Sequence, residues 1–124
     1  MQKLFLLAGS IAMALAVTLG AFGAHGLKSK LSAEMLDIFE TGVQYHFYHA
    51  IGLLIVGLLA QYLPDSPLIK WSGWLMIGGI LIFSGSLYVL ATTGIRWLGA
   101  ITPVGGLCFI ASWILVGITV WKGL

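Results

Sequence analysis

The chain has 124 residues, 60% of them hydrophobic and 8% charged, with a mean hydropathy of +1.05. An ordinary soluble domain carries about 25% charged residues, so that class is excluded and an integral membrane protein is expected. Six basic residues against four acidic ones leave a formal charge of only +2, and no nucleic-acid partner is expected from so slight a balance.

A helix crossing about 30 Å of hydrocarbon needs roughly 20 mostly apolar residues, and residues 4–24, 45–62, 71–91 and 98–121 have that character. Hydrocarbon offers the backbone no water to bond with, so each run is expected to be helical. The predicted fold is all-α, an integral membrane four-helix bundle forming a single transmembrane domain over residues 1–124. A short amphipathic interfacial helix is predicted between helices 1 and 2.

The first run, with Lys3 ahead of it and Ala21-Phe22-Gly23 near its end, also fits a signal peptide with a small-residue cleavage site. Its apolar stretch of roughly 20 residues exceeds the ~7–15 of a signal core. Ala8, Ala12, Ala16, Gly20 and Ala24 recur at a spacing of four, which predicts a stripe of small residues for close helix packing in lipid. The run is therefore expected to stay as a span.

Residues 31–44 are polar enough to lie outside the hydrocarbon and contain no proline. At 100° per residue, Glu34, Asp37, Glu40, Thr41 and Gln44 fall on one side and Leu31, Met35, Ile38, Phe39 and Val43 on the other. The pattern predicts a surface helix over about 32–44, with Ser32 as N-cap and Glu34 in the first turn. No breaker stands between Ser32 and Leu63, so this helix either runs straight into the second span or bends at Gly42.

Further along, YLPDSPLIK (62–70) ends the second helix with two prolines, and Gly94 in TTGIRW (92–97) is placed to cap the third. Thr102-Pro103 fits an N-cap followed by the first helical position. Tyr45, Tyr48, Tyr62, Trp71, Trp97 and Trp121 fall near predicted helix ends, as an aromatic belt requires. Trp74 and Trp113 lie deeper, where each indole N–H needs a partner or a route to the headgroups. Cys108, the sole cysteine, excludes an intramolecular disulfide and is expected to pack as a small hydrophobe.

Four spans put both termini on one side. Lys3, Lys70 and Lys122 on that side balance Lys28, Lys30 and Arg96 on the other, so the positive-inside rule does not choose. The short basic N-terminus favours both termini in the cytoplasm of a bacterial inner-membrane protein.

The same parity gathers the chemistry-bearing residues at one membrane face: His25, Tyr45, His46, His49, Ser84, Ser86, Tyr88, Thr92, Thr93, Arg96, Thr102 and Pro103. Two readings of the imidazoles compete. In the preferred one they bond hydroxyls or backbone and fix helix packing, His25 through a helix-end hydrogen bond. In the other, His25, His46 and His49 converge as metal or haem ligands, because imidazole suits zinc, copper and iron. The i, i+3 spacing specifies neither, and Asp37 and Glu40 point away on the wheel, so no metal or cofactor is expected. Gly78, Gly79, Gly85, Gly105 and Gly106 are expected to serve close packing. No serine has a readable acid–histidine framework. All four acids lie outside the spans, which argues against a proton-coupled exporter.

The runs GAFGAHGL (20–27), TGVQYHFYHA (41–50), FSGSLY (83–88), TG (93–94) and LGAITPVGG (98–106) resemble the small bacterial four-helix inner-membrane family of the YwdK and YgdD type. That family has a eukaryotic transmembrane relative associated with mitochondria. The resemblance covers nearly the whole chain and implies a multi-pass membrane protein without an established activity, bringing no catalytic residue with it. The functional expectation is a non-enzymatic membrane protein that supports membrane integrity or scaffolds a lipid, a membrane-protein partner or a second copy of itself. A haem- or metal-binding redox protein is the alternative, and a small channel or solute carrier the third.

Overall fold

The structure is a computed structural model that describes residues 1–123. Helix α1 spans Gln2–Leu27 and closes in a π-helical turn over Gly23–Leu27; α2 spans Ala33–Tyr62. Helix α3 spans Pro67–Thr93, with a π-helical turn at Ile80–Ser84, and α4 spans Thr102–Gly123 behind a 3₁₀ turn at Arg96–Ala100. All four are long and apolar enough to cross a membrane.

The interfacial helix expected between helices 1 and 2 does not exist as a separate element. Residues 33–44 are the first turns of α2 itself. The Ser32 hydroxyl accepts from the Met35 N–H at 3.2 Å and starts the helix. Gly42, the expected bend, is buried in the helix; a Cβ there would stand 2.9 Å from the Tyr88 ring. Tertiary packing thus holds the helix through its weakest residue. Glu34, Asp37 and Glu40 remain exposed while Phe39 is buried, as the amphipathic pattern requires.

The connections obey their local chemistry. Ser66 accepts from the Ile69 N–H at 3.3 Å, with Pro67 in the first turn of α3. At the other end of α3, Gly94 takes a left-handed φ of 74° and donates its N–H to the Leu90 carbonyl at 2.8 Å.

Helices α1 and α2 pack antiparallel along small residues: Gly9 lies against Ala50 and Leu54, Gly20 against Val43, and Gly23 against Phe39, while Leu6 covers Gly57. The predicted stripe holds only in part. Ala8 packs against the core cluster that contains Leu53 and Val56, Ala16 is buried and Gly20 meets Val43, but Ala12 lines a cleft and Ala24 is exposed. A spacing of four overshoots the 3.6-residue turn by about 40° each time, so five such positions wind around the helix instead of staying on one face.

A core of Phe5, Leu53, Val56, Ile69 and Met76 fills one end of the bundle, and Leu27, Phe39 and Ala91 form a second cluster at the other. Phe5 seats on Gly73 and meets Trp74 edge-on, with ring centroids 5.9 Å apart, tying α1 to α3 at that end. Elsewhere α1 and α3 stand apart over a cleft of about 430 Å³.

Candidate functional site

His46 and His49 are both buried, yet they serve different neighbours. Three residues on a helix turn through about 300°, leaving the two rings about 60° apart. His46 meets α3 and His49 meets α4.

The surroundings of His49 determine its proton. Nδ1 lies 2.7 Å from the Tyr45 carbonyl oxygen, and Nε2 lies 3.0 Å from the Trp113 indole nitrogen. A carbonyl only accepts and an indole N–H only donates, so Nδ1 carries the hydrogen and Nε2 receives one. The ring also stacks on Phe109, centroids 3.5 Å apart and planes within 9°. Both nitrogens of this neutral imidazole are engaged, and the partner that Trp113 needs is His49.

His46 Nδ1 is 2.8 Å from the Tyr88 hydroxyl. The Tyr88 ring packs over Gly42 and against Phe39, its centroid 5.1 Å from that of Phe39. One turn back along α3, Ser84 at the end of the π-helical turn donates to the Gly42 carbonyl at 2.7 Å. A π turn shifts the register of the helix beyond it, and here Ser84 and Tyr88 both reach α2 across the same glycine.

Ser86 faces α4 instead, 2.6 Å from the Thr102 hydroxyl, and also donates to the Phe83 carbonyl at 2.9 Å. The Thr102 hydroxyl has one hydrogen, given either to Ser86 or, at 3.4 Å, to the Leu98 carbonyl, and it does not cap its own helix, a correction to the expected N-cap; it ties α4 back to the 3₁₀ turn and to α3. Pro103 is exposed beside it. Gly105 lies against the backbone of Phe83, whereas Gly106 touches only that ring's edge.

Three further expectations need correction. His25 is exposed in the π-helical turn and makes no side-chain hydrogen bond among the described residues, because the turn directs it outward. His25, His46 and His49 do not converge: among the described residues no group of three His, Cys, Asp or Glu side chains is placed to hold a metal ion. Gly78 and Gly85 are not close-packing sites, since a Cβ at either would meet nothing within 4 Å.

The face inferred from parity is therefore part interior and part surface. His46, His49, Ser84 and Ser86 are buried in contacts between helices. Tyr45 stays exposed with its ring 4.7 Å from that of Phe83, and Thr92 and Thr93 are exposed and bond carbonyls of their own helix. Arg96 donates to Glu34 at 2.9 Å, both side chains more than 60% exposed. The guanidinium beside it holds the Glu34 carboxyl below the usual carboxylate range, first by the hydrogen bond and then by its charge.

Sequence reasoning missed the deepest polar contact. Ser72 of α3 and Ser112 of α4 are fully buried with hydroxyls 3.1 Å apart, and each also donates to the other's backbone carbonyl, at 3.2 and 2.8 Å. Ser72 near the start of the run 71–91, and Ser112 as the one serine of the run 98–121, were the available signal.

The family described as a protein of unknown function, DUF423, matches residues 19–106. The chain is 52% identical to the UPF0382 membrane protein YwdK of Bacillus subtilis, covering 99% of this chain and 100% of that one. UPF0382 membrane proteins of Staphylococcus haemolyticus and Staphylococcus saprophyticus are 48% and 47% identical, each over 98% of this chain and over 98% and 99% of their own lengths. No solved structure matches.

Proposed function

The chain belongs to the DUF423 family of multi-pass membrane proteins of unknown function, and from that premise we propose that it is a non-enzymatic scaffold of the bacterial cell membrane. Its four helices form a bundle that supports the bilayer and holds a lipid, a membrane-protein partner or a second copy, with both termini in the cytoplasm. The observation that carries this reading is the state of its interior: among the described residues, every sealed side-chain nitrogen and oxygen has a hydrogen-bond partner within the chain. The groups best suited to chemistry are joined to one another: His49 to Trp113, Ser84 to Gly42, Ser72 to Ser112. Satisfied networks of this kind rigidify a core and define one arrangement.

The test is purification of the full chain in native-lipid nanodiscs, with native mass spectrometry, visible absorption and elemental analysis of the product. Retained lipid or a protein stoichiometry above one, with a colourless and metal-free sample, is the expected result. A Soret band or a stoichiometric metal would overturn the scaffold reading in favour of the redox one. Reporter fusions to each terminus check the orientation, and an extracytoplasmic signal would reverse it.

A further inference from the structure

One stripe of α2 is left uncovered by the bundle. Gln44, Tyr48, Ile51 and Ile55 follow one another at helical spacings that keep them on a single face, and all four are exposed. Helix α1 meets α2 at Phe39 and Val43, and Tyr88 of α3 covers Gly42. His49 turns to Trp113 of α4, so each neighbouring helix takes another side of α2.

The stripe is not uniformly apolar. The Gln44 amide donates to the Tyr48 hydroxyl at 2.6 Å. An amide carries two N–H donors and a carbonyl acceptor, and a phenol has an O–H of its own to give. Beyond their mutual contact, neither side chain makes a hydrogen bond among the described residues. The pair therefore presents a free acceptor, Gln44 Oε1, beside the free Tyr48 hydrogen and the second amide hydrogen.

Polarity alone sets Gln44 outside the hydrocarbon, but packing sets it inside. Val43 lies against Gly20, and Gly42 against Leu87 and Tyr88, while the apolar runs of α1 and α3 continue to residues 24 and 91. At 1.5 Å per residue those runs reach about 8 Å beyond the level of Gln44. Tyr48 stems from one turn deeper, and its ring leans back toward the helix N-terminus to meet the amide. Hydrocarbon satisfies none of these donors and acceptors, and leaving them bare is costly. An acyl chain has nothing to offer them, and headgroups lie above this level.

A second copy carries the matching groups at the same depth. Two copies inserted in the same direction are related by a two-fold axis along the membrane normal, and such a contact sets one patch against itself. A free acceptor beside a free donor is self-complementary under that operation, and amide and hydroxyl side chains hydrogen-bond across helices in lipid. We propose that this chain forms a parallel dimer through the α2 stripe, each Tyr48 hydroxyl donating to the partner's Gln44, with Ile51 and Ile55 packed below. The proposal rests on the scaffold reading and selects the second copy among its occupants. A monomer that retains lipid would overturn the dimer and leave that reading standing, whereas a haem-loaded dimer would overturn that reading alone.

The experiment has two arms, both on the full chain in liposomes. In the first, single cysteines are placed in a Cys108→Ala background and oxidised. Ile51→Cys is expected to give a disulfide-linked dimer at least tenfold faster than Ile11→Cys on α1 or Ile110→Cys on α4, which are also exposed. In the second, energy transfer between donor- and acceptor-labelled copies is followed as lipid dilutes them. Gln44→Leu is expected to weaken dimerisation at least tenfold and Tyr48→Phe several-fold, while Gln44→Asn, which keeps an amide, recovers part of the loss. Thermal unfolding of the Gln44→Leu monomer is expected at or above the parent's temperature, because the position faces outward. A parent that stays monomeric at low lipid-to-protein ratio would overturn the proposal, whether lipid or another protein covers the stripe. Faster cross-linking through Ile11→Cys or Ile110→Cys than through Ile51→Cys would overturn it too, even where a Gln44 variant does not fold, as would a dimer indifferent to Gln44→Leu.

Discussion

Gly105 of α4 sits directly on the backbone of Phe83 in α3: a Cβ at Gly105 would stand 2.8 Å from the Phe83 Cα and 2.7 Å from its Cβ. Backbone on both sides leaves no flexible side chain to yield. Gly105→Ala is expected to destabilise the protein by about 2–3 kcal/mol, the upper part of the range for overpacking. Gly78→Ala, where a Cβ meets open space, is expected to be neutral or to stabilise by up to about 1 kcal/mol through helix propensity. SDS or urea titration of the two variants checks the contrast.

Trp113→Phe keeps an aromatic ring near Gly52 but removes the donor to His49. A buried acceptor left unpaired costs about 1–3 kcal/mol, and a loss of that size is expected in the same titration. His25→Ala is the counterpart. With its ring exposed and unbonded among the described residues, it is expected to leave the unfolding midpoint unchanged.

The reciprocal Ser72–Ser112 contact is a closed unit, so its two halves should not be additive. Ser72→Ala and Ser112→Ala are each expected to lower stability, and the double variant to cost less than their sum. Interhelical hydrogen bonds in membranes average about 0.6 kcal/mol and reach about 1.7, which bounds the coupling a double-mutant cycle should return. Strict additivity would show that the two hydroxyls act independently.

Glu34 and Arg96 join the start of α2 to the α3–α4 link on an exposed surface. The Glu34 carboxyl is held below its usual range, so any contribution is present above that range and disappears as pH falls through the lowered value. Solvent screening makes such pairs weak. Glu34→Gln is expected to leave the unfolding midpoint at neutral pH unchanged, and to leave the acid limb of the stability profile where it was.

Much of the architecture comes from local rules. Apolar run length places the four helices, Ser32 and Gly94 mark ends they do cap, and the wheel of residues 31–44 separates exposed Glu34, Asp37 and Glu40 from buried Phe39. Those properties depend on neighbours within a turn or two. The misplaced features depend on partners far along the chain: Gly42 looks like a bend in the sequence because Tyr88, which covers it, is 46 residues away. His25 groups with His46 and His49 there because parity gives a membrane side without giving the direction of a side chain.

The sequence by itself determined that this chain has four helices long and apolar enough to cross a membrane, since hydrophobic run length and the lack of water for the backbone allow nothing else. Only the tertiary structure decided that His49 is held by Tyr45 and Trp113, that Ser72 finds Ser112, and that α1 and α3 part above His46 and Tyr88. Helix rotation and crossing in an apolar medium depend on how small residues and side chains fit between helices. Composition and periodicity are blind to that fit.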